Sequence, residues 1–230
     1  MLGFYDYTVI LTYLSVISAC LGITVSLNGP GHPYYGMFFL LFCGFCDAFD
    51  GKVARTKKNR TEQEKKFGIQ IDSMSDLLAF GVLPACIGNA MIRVSPTIEE
   101  IPRFRTMARL DWSTAVILWV IILMYMLAAL IRLSYFNVME EERQQKEAGN
   151  RKVFDGLPVT SSALIFPTVL LLQYVTHADI TIAYFIAMAL TGFAFISPIR
   201  VPKPGTKGIL FMVAFGLVEF ALLGFLWVFN

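Results

Sequence analysis

The chain has 230 residues, 56% of them hydrophobic and only 16% charged, with a mean hydropathy of +0.62. Soluble domains carry about a quarter charged residues. Here the deficit is concentrated in long apolar blocks, which excludes an ordinary soluble domain and places the chain in the membrane class. A net charge of +2 excludes nucleic-acid binding by bulk electrostatics.

A helix needs about 20 apolar residues to cross the hydrocarbon core. Seven segments meet or approach that length: 7–27, 34–55, 68–91, 112–138, 157–176, 179–198 and 207–229. Lipid leaves no partner for open backbone groups, so these segments are predicted to be helices, and the alternation of a membrane β-barrel is missing. The expectation is an all-α, polytopic transmembrane bundle forming one integral membrane domain over 1–230. No Lys or Arg precedes the first block, and Asp6 stands where a signal peptide would be basic, so that block is predicted to be a retained helix.

The connections set the expected orientation. Segments 52–66, 139–156 and 199–207 fall on one side of a seven-helix arrangement and hold 14 of the 19 Lys and Arg residues. The other side has Arg93, Arg103, Arg105 and Arg109, all in the 92–111 connection, which runs against the bias. The positive-inside rule therefore predicts a cytoplasmic N-terminus and an external C-terminus in a multi-pass protein of the cell membrane. Cys20, Cys43, Cys46 and Cys86 all lie in apolar stretches. The CxxC spacing of Cys43 and Cys46 has no second pair to complete a zinc site, so packing is the expected role. His32 and His177 fall in short connections, without a companion that would make a catalytic pair.

Four aspartates interrupt otherwise apolar segments. Asp47 and Asp50 are spaced i,i+3 and Asp72 and Asp76 i,i+4, so each pair shares a helix face. Asp47 and Asp76 stand at matching positions on either side of the 56–67 loop, roughly 13 Å along antiparallel helices at about 1.5 Å per residue. A lone charge at mid-membrane costs at least about 2.5–3.5 kcal/mol, and mutual repulsion adds to that. Divalent cations remove the difficulty. Four carboxylates balance two such ions, and hard oxygen donors with no nearby His or Cys favour Mg²⁺ or Mn²⁺. Gly51 and Ala54 leave a bare helix surface that suits either a ligand ring or phosphate, or a packed neighbour helix. Arg55 suits either a phosphate or the membrane interface.

These residues resemble the CDP-alcohol phosphotransferase family, whose pattern D-x2-D-G-x2-A-R-xn-G-x3-D-x3-D is met at Asp47, Asp50, Gly51, Ala54, Arg55, Gly68, Asp72 and Asp76. The twelve-residue spacing 56–67 is longer than the family's usual one. Asp72-Ser-Met-Ser-Asp-Leu-Leu-Ala-Phe-Gly-Val-Leu-Pro-Ala85 is similar to the phosphatidylserine synthase branch. So are Arg132-Leu-Ser-Tyr-Phe-Asn-Val138 and Phe154-Asp-Gly-Leu-Pro158, with Tyr135 where that branch often has Arg. The resemblance implies a six-helix core, here with one further C-terminal helix, and a homodimer whose site opens to the cytoplasm and the lipid. It implies that Asp47, Asp50 and Asp72 bind the metal pair and that Asp76 is the general base and shares a ligand role. Gly51, Ala54 and Arg55 would meet the CDP moiety.

The implied chemistry is displacement at phosphorus. L-serine would attack CDP-diacylglycerol to give phosphatidylserine and CMP. The serine carboxylate requires a cation, for which Arg132 is the candidate, with Lys152 beside it; Asn137 either hydrogen-bonds a substrate or caps its helix. Inositol, inositol phosphate or glycerol phosphate as acceptor would keep the chemistry. A cation transporter is the rival from another class, and it leaves Gly51, Ala54 and Arg55 at their spacing without an explanation.

Overall fold

The computed structural model describes residues 3–28, 33–94, 112–146, 153–176 and 178–229. The helices are α1 (Ile10–Leu27), α2 (Pro33–Ala54), α3 (Glu62–Asp76), α4 (Leu83–Val94), α5 (Trp112–Lys146), α6 (Ser162–Thr176), α7 (Thr181–Ile196) and α8 (Thr206–Phe229). A wide-turned stretch, Leu77–Val82, fuses α3 to α4 without a break. Among the described residues, Tyr7–Leu27, Glu62–Arg93, Val116–Arg143 and Thr206–Phe225 are long and apolar enough to span a membrane, and Val159–Gln173 and Thr181–Ile196 are shorter apolar helices. The protein is a multi-pass helical membrane protein.

α1 is the spine. It packs against α2, α3 and α4, and its buried face is a seam of small polar residues: Thr12, Ser15, Ser18, Gly22 and Ser26. Small residues let membrane helices approach closely, and hydrogen bonds then fix their register. Ser18 Oγ donates to the Phe39 carbonyl at 3.0 Å, and Cys43 Sγ donates to the Ser15 carbonyl at 3.3 Å. Ser75 Oγ donates to the Thr12 carbonyl at 3.4 Å. These bonds set α2 and α3 against one ruler. Cys43 and Cys46 are buried, and all four thiols are free, in keeping with packing.

The wide turn after Asp76 has a covalent cause. Pro84 has no N–H, so in a regular α-helix the Phe80 carbonyl would find no donor four residues on. The helix widens there, with Leu83 N–H reaching the Leu78 carbonyl. Tyr125 of α5 donates its hydroxyl to the Phe80 carbonyl at 2.6 Å. Tyr184 of α7 does the same for the Pro84 carbonyl at 2.8 Å. The two tyrosines pack with Phe166 and Phe195 in an aromatic core, Tyr125 edge-on to Phe166 and the other pairs tilted, that binds α5, α6 and α7 to α4.

The segment boundaries depart from the sequence expectation in three places. α3 starts at Glu62 rather than 68, because Thr61 and Glu64 form a reciprocal capping box. α5 runs to Lys146, past 138, on a polar tail steadied by the Arg143–Glu140 pair at 2.6 Å. Two short strands, β1 (Val153–Asp155) before α6 and β2 (Arg200–Pro202) before α8, pair antiparallel, with Phe154 opposite Val201.

The stretch before α1 and the loop after α2 are clamped together at one end. Lys57 Nζ bonds Asp6 Oδ2 at 2.6 Å and Glu64 Oε1 at 2.7 Å. The Lys57 ammonium, followed by the Thr8 hydroxyl, pulls the Asp6 carboxyl down to about 2, so this clamp stays charged at physiological pH. At the other end the Arg93 guanidinium bonds the Leu27 and Asn28 carbonyls at 3.1 and 3.2 Å, closing the C-terminus of α1.

Gly156 turns β1 into α6 at φ +79, with its N–H on the Ile199 carbonyl at 2.8 Å. A Cβ there would lie 2.5 Å from the Phe195 carbonyl oxygen. Gly156→Ala therefore combines left-handed strain with a backbone clash. It is expected to cost about 1–3 kcal/mol, read as a lowered Tm of the detergent-solubilised protein. An unchanged Tm would show that the β1–α6 turn is not held as described.

Candidate active site

Each aspartate pair sits on one helix at a depth fixed by the α1 seam. Cys43, bonded to Ser15, is one turn before Asp47 on α2. Ser75, bonded to Thr12, lies between Asp72 and Asp76 on α3. The result is convergence: one carboxylate oxygen from each of Asp47, Asp50 and Asp72 lies within 4.8 Å of the other two. Asp76 lines the same cavity as Asp47 and Asp72. Asp50 is buried and also accepts the Gly51 N–H.

Three carboxylates this close, inside an apolar bundle, repel one another and lose hydration unless a cation joins them. Their donors are all hard oxygens, which fits a divalent ion such as Mg²⁺ or Mn²⁺ and does not fit a softer metal.

The carboxylates open into a cavity of about 650 Å³. Asp47, Asp72 and Asp76 line it with Gly51, Lys52, Arg55 and Arg132, which gives one polar end rich in cations. The remaining wall is largely apolar and drawn from α2, α6 and α8, among others Leu41, Phe45, Leu164, Met212 and Leu217, with Thr160, Ser161 and Lys203 as polar members. A headgroup with phosphates at one end and hydrocarbon at the other matches that division. A second cavity, about 170 Å³, lies on the other face of Gly51 and is lined by Asp50, Ala54, Arg55, Arg60, Lys65, Gly68 and Asp72.

Gly51 and Gly68 have a shared physical reason. A Cβ on Gly51 would meet Arg55 Nη1 at 3.3 Å, and one on Gly68 would meet Arg60 Nη2 at 2.6 Å. Each glycine lets a guanidinium approach helix backbone closely. Arg60 and Lys65 had been read only as loop charge. The Thr61-x-x-Glu64 capping box was the signal that would have placed Lys65 and Gly68 on one helix face, one turn apart.

Arg132 of α5 reaches the main cavity and is buried, its guanidinium over the Phe136 ring at 4.9 Å. Asn137 is not among the cavity-lining residues. Its Nδ2 donates to Ser73 Oγ at 2.9 Å, and the Ser73 hydroxyl lies 3.1 Å from its Oδ1. It ties α5 to α3 next to Asp72, which makes it a positioning residue. Lys152, like His32 and His177, lies outside the described residues.

A family model described as CDP-alcohol phosphatidyltransferase matches residues 8–227. The chain is 27% identical over 191 residues to the CDP-diacylglycerol–serine O-phosphatidyltransferase of Mycobacterium leprae, covering 82% of this chain and 56% of the relative. It is 32% identical over 156 residues to the Saccharomyces cerevisiae protein of the same name, covering 66% and 47%. It is 28% identical over 199 residues to the archaetidylserine synthase of Methanothermobacter thermautotrophicus, covering 86% and 70%. The chain spans about half the length of the first curated relatives it matches. No solved structure matches it.

Asn137→Leu removes both bonds to Ser73 at similar volume. A hydrogen bond contributes about 0.5–1.5 kcal/mol net, so the variant is expected to melt slightly lower and to lose turnover as Asp72 and Asp76 drift. Full activity in Asn137→Leu would show that the Ser73 contact does not position α3.

Proposed function

The chain belongs to the CDP-alcohol phosphatidyltransferase family, and from that premise we propose that it transfers the phosphatidyl group of CDP-diacylglycerol to the hydroxyl of L-serine, yielding phosphatidylserine and CMP. The observation that carries this reading is the cavity itself. Asp47, Asp72, Asp76 and Arg132 occupy one end, Asp50 converges on Asp47 and Asp72 from outside it, and mostly apolar helix surface forms the rest. Serine is favoured by the names of the relatives in bacteria and yeast and by the resemblance of the Arg132–Val138 and Phe154–Pro158 stretches.

In this mechanism Asp47, Asp50 and Asp72 hold the metal, with Asp76 sharing; two Mg²⁺ or Mn²⁺ ions would balance the four charges. When bound, the metal supplies charge neutralisation at the diphosphate and the CMP leaving group. Gly51, Ala54 and Arg55 receive the CDP moiety, where the bare helix surface lets the ligand approach backbone. Asp76 orients the serine hydroxyl and takes its proton. The serine oxygen bonds to the phosphorus that carries the diacylglycerol, and the bond from that phosphorus to the CMP oxygen breaks. Arg132, permanently charged and forked, suits the serine carboxylate, with Lys152 as its partner in the same role. A homodimer in the cell membrane, with the site facing the cytoplasm, belongs to the same proposal and rests on the family resemblance, on the basic bias of the connections, and on Lys52, Arg55 and Lys203 at the cavity.

The test is CMP release from CDP-diacylglycerol with serine, inositol, inositol phosphate or glycerol phosphate offered separately. Serine is expected to be preferred; release only with another alcohol would replace the acceptor. Asp47→Asn is expected to weaken metal-dependent CDP-diacylglycerol binding. Asp76→Asn should keep that binding and lower turnover about 10²–10⁴-fold, the range for a lost general base. Equal loss of binding in both variants would make Asp76 a metal ligand alone. For orientation, a cysteine at Asn59 is expected to label from the cytoplasmic face; labelling only from outside would invert the topology.

A further inference from the structure

The β1–β2 ladder does more than close a loop. Its pairing places Lys203, the residue after β2, on the main cavity. Pro202 and Pro204 flank Lys203. Proline fixes its own φ and restricts the residue before it to extended backbone, so Lys203 is presented from a stiff segment. The ladder is anchored by the Gly156 and Leu157 N–H groups on the Ile199 and Ala194 carbonyls, at 2.8 and 3.0 Å.

Lys203 belongs to a continuous wall. Arg132 lies over Phe136 at 4.9 Å, Phe136 meets Phe154 at 5.9 Å, and Lys203 Nζ sits 5.6 Å from the Phe154 ring. Two cations thus bracket a pair of rings, contributed by α5, β1 and the segment entering α8. Gly51 and Lys52 of α2, and Arg55 just after it, line the cavity from another side. In a displacement at phosphorus the entering and leaving oxygens stand roughly in line on opposite sides. If the CDP moiety lies on the α2 surface, the aromatic wall is the side left to the acceptor.

On the reading of serine as acceptor, we propose that Lys203 is a specificity-determining residue that receives the acceptor's α-carboxylate at the cavity mouth, completing with Arg132 a two-cation subsite for an amino acid. A compact ammonium on a flexible four-carbon stem can follow the carboxylate in and release it with the product. Among the described residues its ammonium is paired with no carboxylate. An uncharged polyol acceptor would give that cation nothing to bind.

The experiment compares wild type, Lys203→Gln and Lys203→Arg for KM of L-serine, KM of CDP-diacylglycerol, kcat, and inhibition by L-alanine, which has the carboxylate and lacks the hydroxyl. Lys203→Gln is expected to raise the serine KM and the L-alanine inhibition constant together, by about tenfold for a lost charge contact of roughly 1.4 kcal/mol. The CDP-diacylglycerol KM should be unchanged and Lys203→Arg should restore most of the loss. An unchanged serine KM, an unchanged L-alanine constant, or a rise confined to CDP-diacylglycerol overturns the assignment, the last by giving Lys203 to the diphosphate. A loss of kcat alone that Lys203→Arg fails to restore also overturns it, as damage to the ladder. A wild-type enzyme that releases CMP with inositol and not with serine overturns the proposed acceptor first, and the carboxylate subsite with it.

Discussion

Four carboxylates in an apolar bundle have to face one another across a gap, since any other direction presents charge to lipid. Everything near the site follows from meeting that condition. α1 has no charged side chain of its own, yet its Thr12, Ser15 and Ser18 bond the helices that carry the aspartates. In water such bonds would contribute little to a helix interface. Inside a bilayer, with no solvent competing for the groups, they are well suited to fixing the register of one helix against another. The spine therefore governs depth, and depth decides whether Asp47, Asp50 and Asp72 meet within reach of a single ion.

The cation side of the site is built differently. Arg55 and Arg60 lie over bare glycine backbone, Arg132 over a phenylalanine ring, and Lys203 over another. Glycine lets a guanidinium approach helix backbone closely, and a ring face offers an ammonium partial compensation for lost hydration. The anions are thus held rigidly by helix register, and the cations are held on surfaces from which long side chains can move. That asymmetry suits the proposed reaction, in which a fixed metal site would receive one anionic headgroup and release another.

How much of this was legible beforehand differs residue by residue. The aspartates were readable because charge is so costly in an apolar helix that four of them at helical spacing allow few interpretations. The seven apolar segments were readable for the same reason. α3's first turn was missed because hydropathy cannot see a helix that begins in water, although Thr61 and Glu64 announced it. β1 and β2 are three residues each and separated by two whole helices, so no local pattern reveals their pairing. Lys203 and the wall of Phe136 and Phe154 were hidden with them. Asn137 stood out as either a substrate contact or a cap; its bond to Ser73, a partner 64 residues away, leaves no mark in the local sequence. Gly156 and Pro84 lay in recognised stretches, yet their reasons emerge only when the Phe195 and Phe80 carbonyls are seen beside them.

The widened turn at Leu77–Val82 has a consequence for the span as a whole. A regular helix advances about 100° per residue, so a single extra residue in a turn rotates everything after it by roughly that angle. Before the turn, α3 aims Asp72 and Asp76 at the cavity; after it, Leu83 and Ile87 are fully buried against neighbouring helices. The stretch acts as a phase shifter in one continuous rod: it lets the two halves of a single membrane crossing serve different partners, chemistry above and packing below, without a break in the helix and without exposing a backbone group to lipid.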